Sequence, residues 1–266
     1  QVKRGKFRPE GYELVFSAAN HLDAAQFVLN EEERMHLRGR IDRMDTYTTN
    51  EKVYVKIIDY KTGNTSFQLL NLYHGLQLQL VVYLNAALEV TAKKYPQKTT
   101  VPAGIFYYHV DDPYAEGRAE MSEEEIGEEI LQRLKLDGIV NSEEDVWRAM
   151  DTEMESESHV IPVKLKKDGT ISATSKTLSE TAFSNVGAFA TEKIKELGNG
   201  MLGGNIAAEP YLLDSKSGCD YCAYRSICGF DAKIPGYHYH ELEKNLKDND
   251  ILKKISEDLT NKGGGE

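Results

Sequence analysis

Residues 34–61 read RMHLRGRIDRMDTYTTNEKVYVKIIDYK. In the first half Met35, Leu37 and Ile41 alternate with His36, Arg38, Arg40 and Asp42, the period of two of a strand with one buried face. In the second half Val53 to Asp59 is rich in β-branched residues, which predicts a second strand. Thr48-Thr49-Asn50-Glu51 supplies turn residues between them, so the economical reading is an antiparallel hairpin. With the turn centred between Asn50 and Glu51, Asp42 falls directly opposite Asp59. Lys61 then projects from the same face as Asp59, roughly 6.6 Å further along the strand.

Like charges directly across a sheet destabilise it. A chain keeps such a pair chiefly where a cation bridges it, and two hard carboxylates beside a lysine make a suitable Mg²⁺ site. The metal would polarise a phosphoryl oxygen and lower the pKa of a bound water. Lys61 would hold that water or stabilise charge on the phosphate. The plainer alternative is a surface hairpin in which Asp59 and Lys61 make a weak exposed contact, and a lone D-x-K triplet does not decide between the two. The matched Asp42, and the Val/Ile strand running into the triplet, bring the metal reading level with it.

Beyond the hairpin, Gly75 to Tyr95 predicts a helix, with Leu76, Leu80, Leu84 and Leu88 repeating at four and Pro96 beyond its end. Gly104 to Val110 (GIFYYHV) predicts a short aromatic strand, completing an α/β core. Val160 to Leu165 is a candidate further strand. Thr177-Leu-Ser-Glu180 reads as a capping box opening a helix that ends at Leu197, before Gly198. Residues 206–234 read as loop organised by cysteines, and Lys262–Glu266 as a frayed end.

The chain has 266 residues, 40% hydrophobic and 28% charged, with a net charge of −11. That composition is globular rather than disordered or fibrous, and the length suits one large domain or a core with an appendage. No window approaches the ~18 apolar residues of a membrane span. The first twenty residues have no apolar signal-peptide core and no initial Met, which reads as a piece processed or excised from something longer. The acidity is local: residues 111–160 hold 17 acidic and 4 basic residues, leaving the remainder at +2. Net charge therefore does not exclude a nucleic-acid partner. The acidic stretch is expected to form solvated helices, with Ile126, Ile130 and Leu134 as one apolar stripe.

All three cysteines fall in Cys219-Asp-Tyr-Cys222-Ala-Tyr-Arg-Ser-Ile-Cys228. Such clustering without a secretory signal reads as metal or cluster ligation in a reducing, cytoplasmic compartment. Three thiolates leave one ligand unfilled, which His238 or His240 would complete at a zinc site.

Gly39-Arg-Ile-Asp-Arg-Met-Asp45, Ile58-Asp-Tyr-Lys-Thr-Gly63 and Gly75-Leu-Gln-Leu-Gln-Leu-Val-Val-Tyr-Leu84, in that order, resemble the nuclease core of the RecB family within the PD-(D/E)xK superfamily. With the terminal cysteines, the resemblance runs from Phe7 to Asp231 and is to AddB-type helicase–nuclease proteins. It implies a restriction-endonuclease-like α/β fold, a mixed central sheet flanked by helices. Asp42 and Asp59 are implied as metal ligands, the Tyr60 carbonyl as a third metal contact and Lys61 as the catalytic lysine. Gln79 and Tyr83, one turn apart on a helix, match the family's Q-x3-Y motif beside the site. Apart from the resemblance, Arg38 and Arg40 are candidate phosphate contacts and equally plausible as solvent-facing strand residues. The cysteines become three ligands of a [4Fe–4S] cluster whose fourth cysteine lies upstream of the core, outside this chain. A further acidic or histidine metal ligand is implied on an upstream helix, and no convincing helix precedes Phe7.

The expected organisation is a nuclease domain at 1–213 with an acidic helical insertion at 111–160, a cysteine segment at 214–234 and a tail at 235–266. The expected function is a Mg²⁺-dependent DNA exonuclease acting on DNA ends, beside an AddA-like helicase/nuclease partner, in double-strand break repair. Two alternatives are an inactive nuclease-fold scaffold that binds DNA, and a zinc-binding interaction module. Intact Asp42, Asp59 and Lys61 argue against the first. No G-x4-G-K-[ST] motif occurs, so ATP chemistry belongs elsewhere in the assembly.

Overall fold

The computed structural model describes residues 3–17, 22–110 and 121–263. Its frame is a six-stranded mixed sheet. Strand β1 (Arg8–Phe16) is followed by a short antiparallel pair, β2 (Gln26–Val28) and β3 (Arg34–His36), then by β4 (Gly39–Thr48) and β5 (Lys52–Lys61). Helices α1 (Leu69–Tyr73) and α2 (Gln79–Lys94) lead to β6 (Thr99–His109). Next come α3 (Glu123–Arg133), β7 (Asp137–Asn141), α4 (Glu144–Met150), β8 (Thr177–Leu178) and α5 (Glu180–Leu202). The last elements are β9 (Tyr211–Leu213), β10 (Lys216–Ser217), α6 (Arg225–Cys228), β11 (His240–Glu241) and α7 (Asp248–Gly263). Across the large sheet the order is β1-β4-β5-β6-β7-β8, with β5–β6 and β7–β8 parallel and the other neighbours antiparallel.

The hairpin β4–β5 closes as its turn residues predict. Thr49 N–H donates to the Lys52 carbonyl at 2.8 Å, and the Thr49 hydroxyl accepts from Lys52 N–H at 3.1 Å. Register runs from Thr48 opposite Val53 to Arg43 opposite Ile58, where the ladder ends one residue short of Asp42 and Asp59. β5 is the central strand. Val53, Val55, Ile57 and Ile58 are all buried, because both faces of a strand with a parallel neighbour are covered. The crossover that makes β5 and β6 parallel is α2, whose Leu80, Val81, Leu84 and Ala87 are buried.

Two apolar clusters sandwich the sheet. One packs α2, α5 and α7 over Ile41, Val55, Ile57 and Ile105. The other gathers Phe7, Ile58, Phe106, Leu136, Trp147 and Ile161 on the opposite face.

Several expectations change here. The acidic stretch is not simply a solvated helical insertion, although its first part, 111–120, lies outside the described residues. α3 buries no side chain and fits the expectation, with Ser122 and Glu125 forming a capping box. But Gly138, Ile139 and Val140 form a core strand, and Val146, Trp147 and Met150 belong to the second cluster. Counting charges hid these few apolar residues. Gly138 is required by contact: a Cβ there would lie 2.0 Å from the Ile105 carbonyl oxygen on β6. The tail is equally structural, since Ile251 and Ile255 of α7 are fully buried. Residues 160–165 make only an isolated bridge through Leu165 to Ile171 and one through Lys164 to Glu157. The cap of α5 is Ser179, whose hydroxyl accepts from Ala182 N–H, while Thr177 and Leu178 are the strand β8. α5 also runs through Gly198 to Leu202, because that glycine packs under Leu29 and Met35.

Candidate active site

The carboxyl ends of the parallel pair β5–β6 carry the site, with Asp59 opposite Tyr107 and Lys61 opposite His109. In open α/β sheets, that edge is where ligands are bound. Asp59 is buried and points to the α2 side. Its Oδ1 accepts from Gln79 Nε2 at 3.1 Å. Its Oδ2 is buried and ion-pairs with Lys61 Nζ at 2.7 Å. Asp42 reaches the same place from β4: its Oδ2 accepts the Tyr60 backbone N–H at 2.9 Å.

Gln79 ties the cluster together. Its carbonyl oxygen accepts from Lys61 Nζ at 3.2 Å, and its amide group donates to Asp59 and to the Tyr83 hydroxyl at 2.9 Å. The i, i+4 spacing on α2 makes the last contact possible. Tyr83 is braced edge-on by Phe16 of β1, with ring centroids 5.6 Å apart. Lys61 Nζ also sits 5.2 Å from the centre of the Tyr107 ring, a contact that sequence reasoning missed.

Burial pushes the Asp59 carboxyl above its usual range, the hydrogen bond and charge of Lys61 pull it back, and the nearby Asp42 charge pushes it up again. A buried carboxylate with a second carboxylate close enough to act on its charge is a donor set that fits a hard divalent cation. Burial, helped by the charges of Asp59 and Asp137, pushes the Tyr107 phenol from 10.0 up to about 12. Its folded value lies above the unfolded one, so the stability that the neutral phenol contributes is lost as pH rises from 10.0 through about 12. In an alkaline absorbance titration Tyr107 should ionise near pH 12, and Asp59→Asn should lower that value. An unmoved transition would place Asp59 and Tyr107 out of electrostatic contact.

Arg40 is exposed and paired with Glu13 at 2.8 Å, and Arg38 is also exposed, so neither joins the carboxylates. Glu13 holds a left-handed backbone at φ 51° in β1. The cysteines are free: Cys222 and Cys228 are exposed and Cys219 is half-buried. Among the described residues, no three His, Cys, Asp or Glu side chains gather as a metal cage. His238 pairs with Glu209 at 3.5 Å, and His240 lies in β11 beside β9. No helix among the described residues is long and apolar enough to cross a membrane.

Among curated proteins, the chain is 35% identical over 263 residues to the B subunit of the ATP-dependent helicase/deoxyribonuclease of a Thermoanaerobacter species, an alignment covering 98% of the chain and 22% of the relative. It is 37% identical over 260 residues to the protein of that name from Alkaliphilus oremlandii, covering 98% and 22%. For the Caldanaerobacter subterraneus protein the figures are 40% over 243 residues, covering 91% and 21%. The chain thus spans about a fifth of the length of these relatives. The profile of the PD-(D/E)XK nuclease superfamily matches residues 1–229, which include β4, β5, α2 and every residue of the carboxylate–lysine cluster. The hairpin, the helix behind it and this match agree: the chain belongs to the PD-(D/E)XK nuclease superfamily.

Proposed function

We propose that this chain is the deoxyribonuclease domain of a larger helicase–nuclease protein and hydrolyses DNA phosphodiester bonds with Mg²⁺. The observation that carries the reading is the buried Asp59 carboxylate, ion-paired with Lys61 at 2.7 Å and near enough to Asp42 to feel its charge. Asp42, Asp59 and the Tyr60 carbonyl would hold the cation. When bound, it would supply a Lewis acid for the phosphoryl oxygen and a more acidic water. The chain's own groups do the rest. Lys61, the cation of the cluster, faces the negative charge that grows on a phosphate under attack. Gln79 fixes Lys61 and Asp59 relative to each other, and Tyr83 fixes Gln79. Tyr107 beneath Lys61 keeps the ammonium over an aromatic face rather than in open water.

The relatives' names support a wider proposal, in which the domain acts as an exonuclease on DNA ends, beside a helicase/nuclease partner of the AddA type, during double-strand break repair. A [4Fe–4S] cluster takes four cysteines and this chain has three, so the proposal places the fourth ligand outside the chain. The test is Mg²⁺-dependent cleavage of linear DNA by the full-length parent protein, wild type against Asp59→Ala. Near-complete loss in the variant is expected, and equal activity would end the assignment.

A further inference from the structure

The loop that leaves the site is held more firmly than its exposure requires. Residues 62–68, Thr-Gly-Asn-Thr-Ser-Phe-Gln, follow Lys61 directly, and all but Phe67 are exposed. Such loops are usually among the more mobile parts of a fold. Here side chains from three other segments hold its backbone. His109, opposite Lys61 on β6, donates from Nε2 to the Thr65 carbonyl at 2.8 Å. Asp137 Oδ2, on β7, accepts the Phe67 N–H at 2.8 Å. Gln77, just before α2, donates from Nε2 to the Ser66 carbonyl at 2.9 Å and accepts the Gln68 N–H at 3.0 Å. The Phe67 ring lies 6.5 Å from Tyr107, the ring under Lys61. A backbone fixed in advance binds at a lower entropic cost, so these bonds suit a surface that holds a ligand.

The chemistry around the loop indicates which ligand. Residues 62–73 contain no charged side chain, so nothing in them repels a phosphate. Ser, Thr, Asn and Gln side chains and backbone N–H groups are common contacts to a sugar–phosphate chain. Beside the loop lies a cleft of about 680 Å³, lined by Ser66 and Gln68 and by Ser175, Lys176, Lys247 and Asn249. Asp248 is the one carboxylate in that lining. Lys247 is exposed and has no ion-pair partner among the described residues. Lys176 meets Asp137 Oδ1 at 2.6 Å, the carboxylate that also holds Phe67, and 43% of its side chain stays exposed. Asp59, Tyr107 and Asp137 are successive partners across β5, β6 and β7. At ~4.8 Å per strand, Asp137 stands roughly 10 Å from Asp59. That separation suits a neighbouring phosphate of the strand rather than the one under attack.

Building on the cleavage reading, we propose that loop 62–68 and this cleft bind the sugar–phosphate backbone of the substrate strand beyond the scissile bond, with Lys176 and Lys247 as phosphate contacts. Contacts of this kind fix the register of the strand and carry no sequence information.

The test is single-turnover, Mg²⁺-dependent cleavage by the full-length parent protein of linear DNA ending in a single-stranded thymidylate tail, with the cut bonds mapped. Lys176→Gln and Lys247→Gln should each raise the DNA concentration for half-maximal rate about 10-fold, the lower range for a hydrogen bond to a charged group. Maximal rate and melting temperature should stay near wild type. The slope of log apparent affinity against log salt should become shallower by about 0.7 for each lysine. Replacing the tail phosphates on either side of a cut, one at a time, by neutral methylphosphonates then locates the contact. At one position the losses from the methylphosphonate and from Lys247→Gln should not add, because both remove the same interaction. Lysine variants that match wild type, or losses that add at every position, overturn the proposal and leave the cleavage reading standing where Asp59→Ala is inactive. Wild-type cleavage by Asp59→Ala removes the cleavage reading itself.

Discussion

Asp59→Asn is expected to abolish DNA cleavage, by about 10³-fold or more, while the domain melts no lower than wild type. The first half follows from what the carboxylate is placed to do. On the proposed reading only one acidic metal ligand, Asp42, would remain, and Lys61 loses the anion 2.7 Å away. A 10³-fold loss corresponds to about 4 kcal/mol of transition-state stabilisation, a reasonable share for a group on which metal binding and charge placement both depend.

The second half follows from burial. The folded pKa of Asp59 lies above the ordinary value, so the ionised form costs the fold stability at neutral pH, and that cost disappears as pH falls through the raised pKa. Asn has no charge to desolvate, and its Oδ1 can still accept from Gln79. Lys61 keeps the Gln79 carbonyl and is partly exposed, so it is not stranded. Activity and thermal stability should therefore move in opposite directions, as where function is held at a cost to the fold. Cleavage of linear DNA and a melting curve on the same preparation check both halves. A variant that cuts as wild type, or melts well below it, contradicts the placement of Asp59 as a destabilised ligand.

The second large effect is on folding. Ile251→Ala and Ile255→Ala should each cost about 2–5 kcal/mol, the range for emptying a fully buried site. The two lie one turn apart on α7 and share the cluster formed by α2 and α5, so the double variant should depart from the sum of the singles. Urea unfolding followed by circular dichroism measures this, as a fall in midpoint at constant slope. A loss under about 1 kcal/mol for each would mean that α7 is a detachable tail after all.

The hairpin was legible because two independent signals agree: alternation sets which residues share a face, and the turn sets the register. Together they set the ladder that ends at Arg43 and Ile58, and so bring Asp42 and Asp59 to the same end of the hairpin without any tertiary information. The same register carries Asp45 opposite Lys56, and a lysine inside a Val/Ile strand was the available sign of a buried ion pair. What stayed hidden did so for local reasons. β1 contains Pro9 and Gly11, weak strand residues that an edge position tolerates. β7 is five residues long and follows an acidic helix, so a charge count over fifty residues conceals it. α7 is mostly polar, and Ile251 and Ile255 become informative only once a partner surface exists for them. Tyr107 lies under Lys61 through the pairing of β5 with β6, a neighbour relation that no local pattern encodes.

The burial of Ile251 and Ile255 also has a consequence for biosynthesis. The carboxylates are brought into register by a hairpin that is translated early, whereas α7 packs on α1 and α5 only after nearly all of the described chain has been made. Contacts between segments so distant in sequence form slowly. On the ribosome, residues 8–247 must therefore wait with an apolar helix face uncovered. A nascent chain arrested before Asp248 should be protease-sensitive and a client for chaperones, whereas one extended past Gly263 should resist digestion.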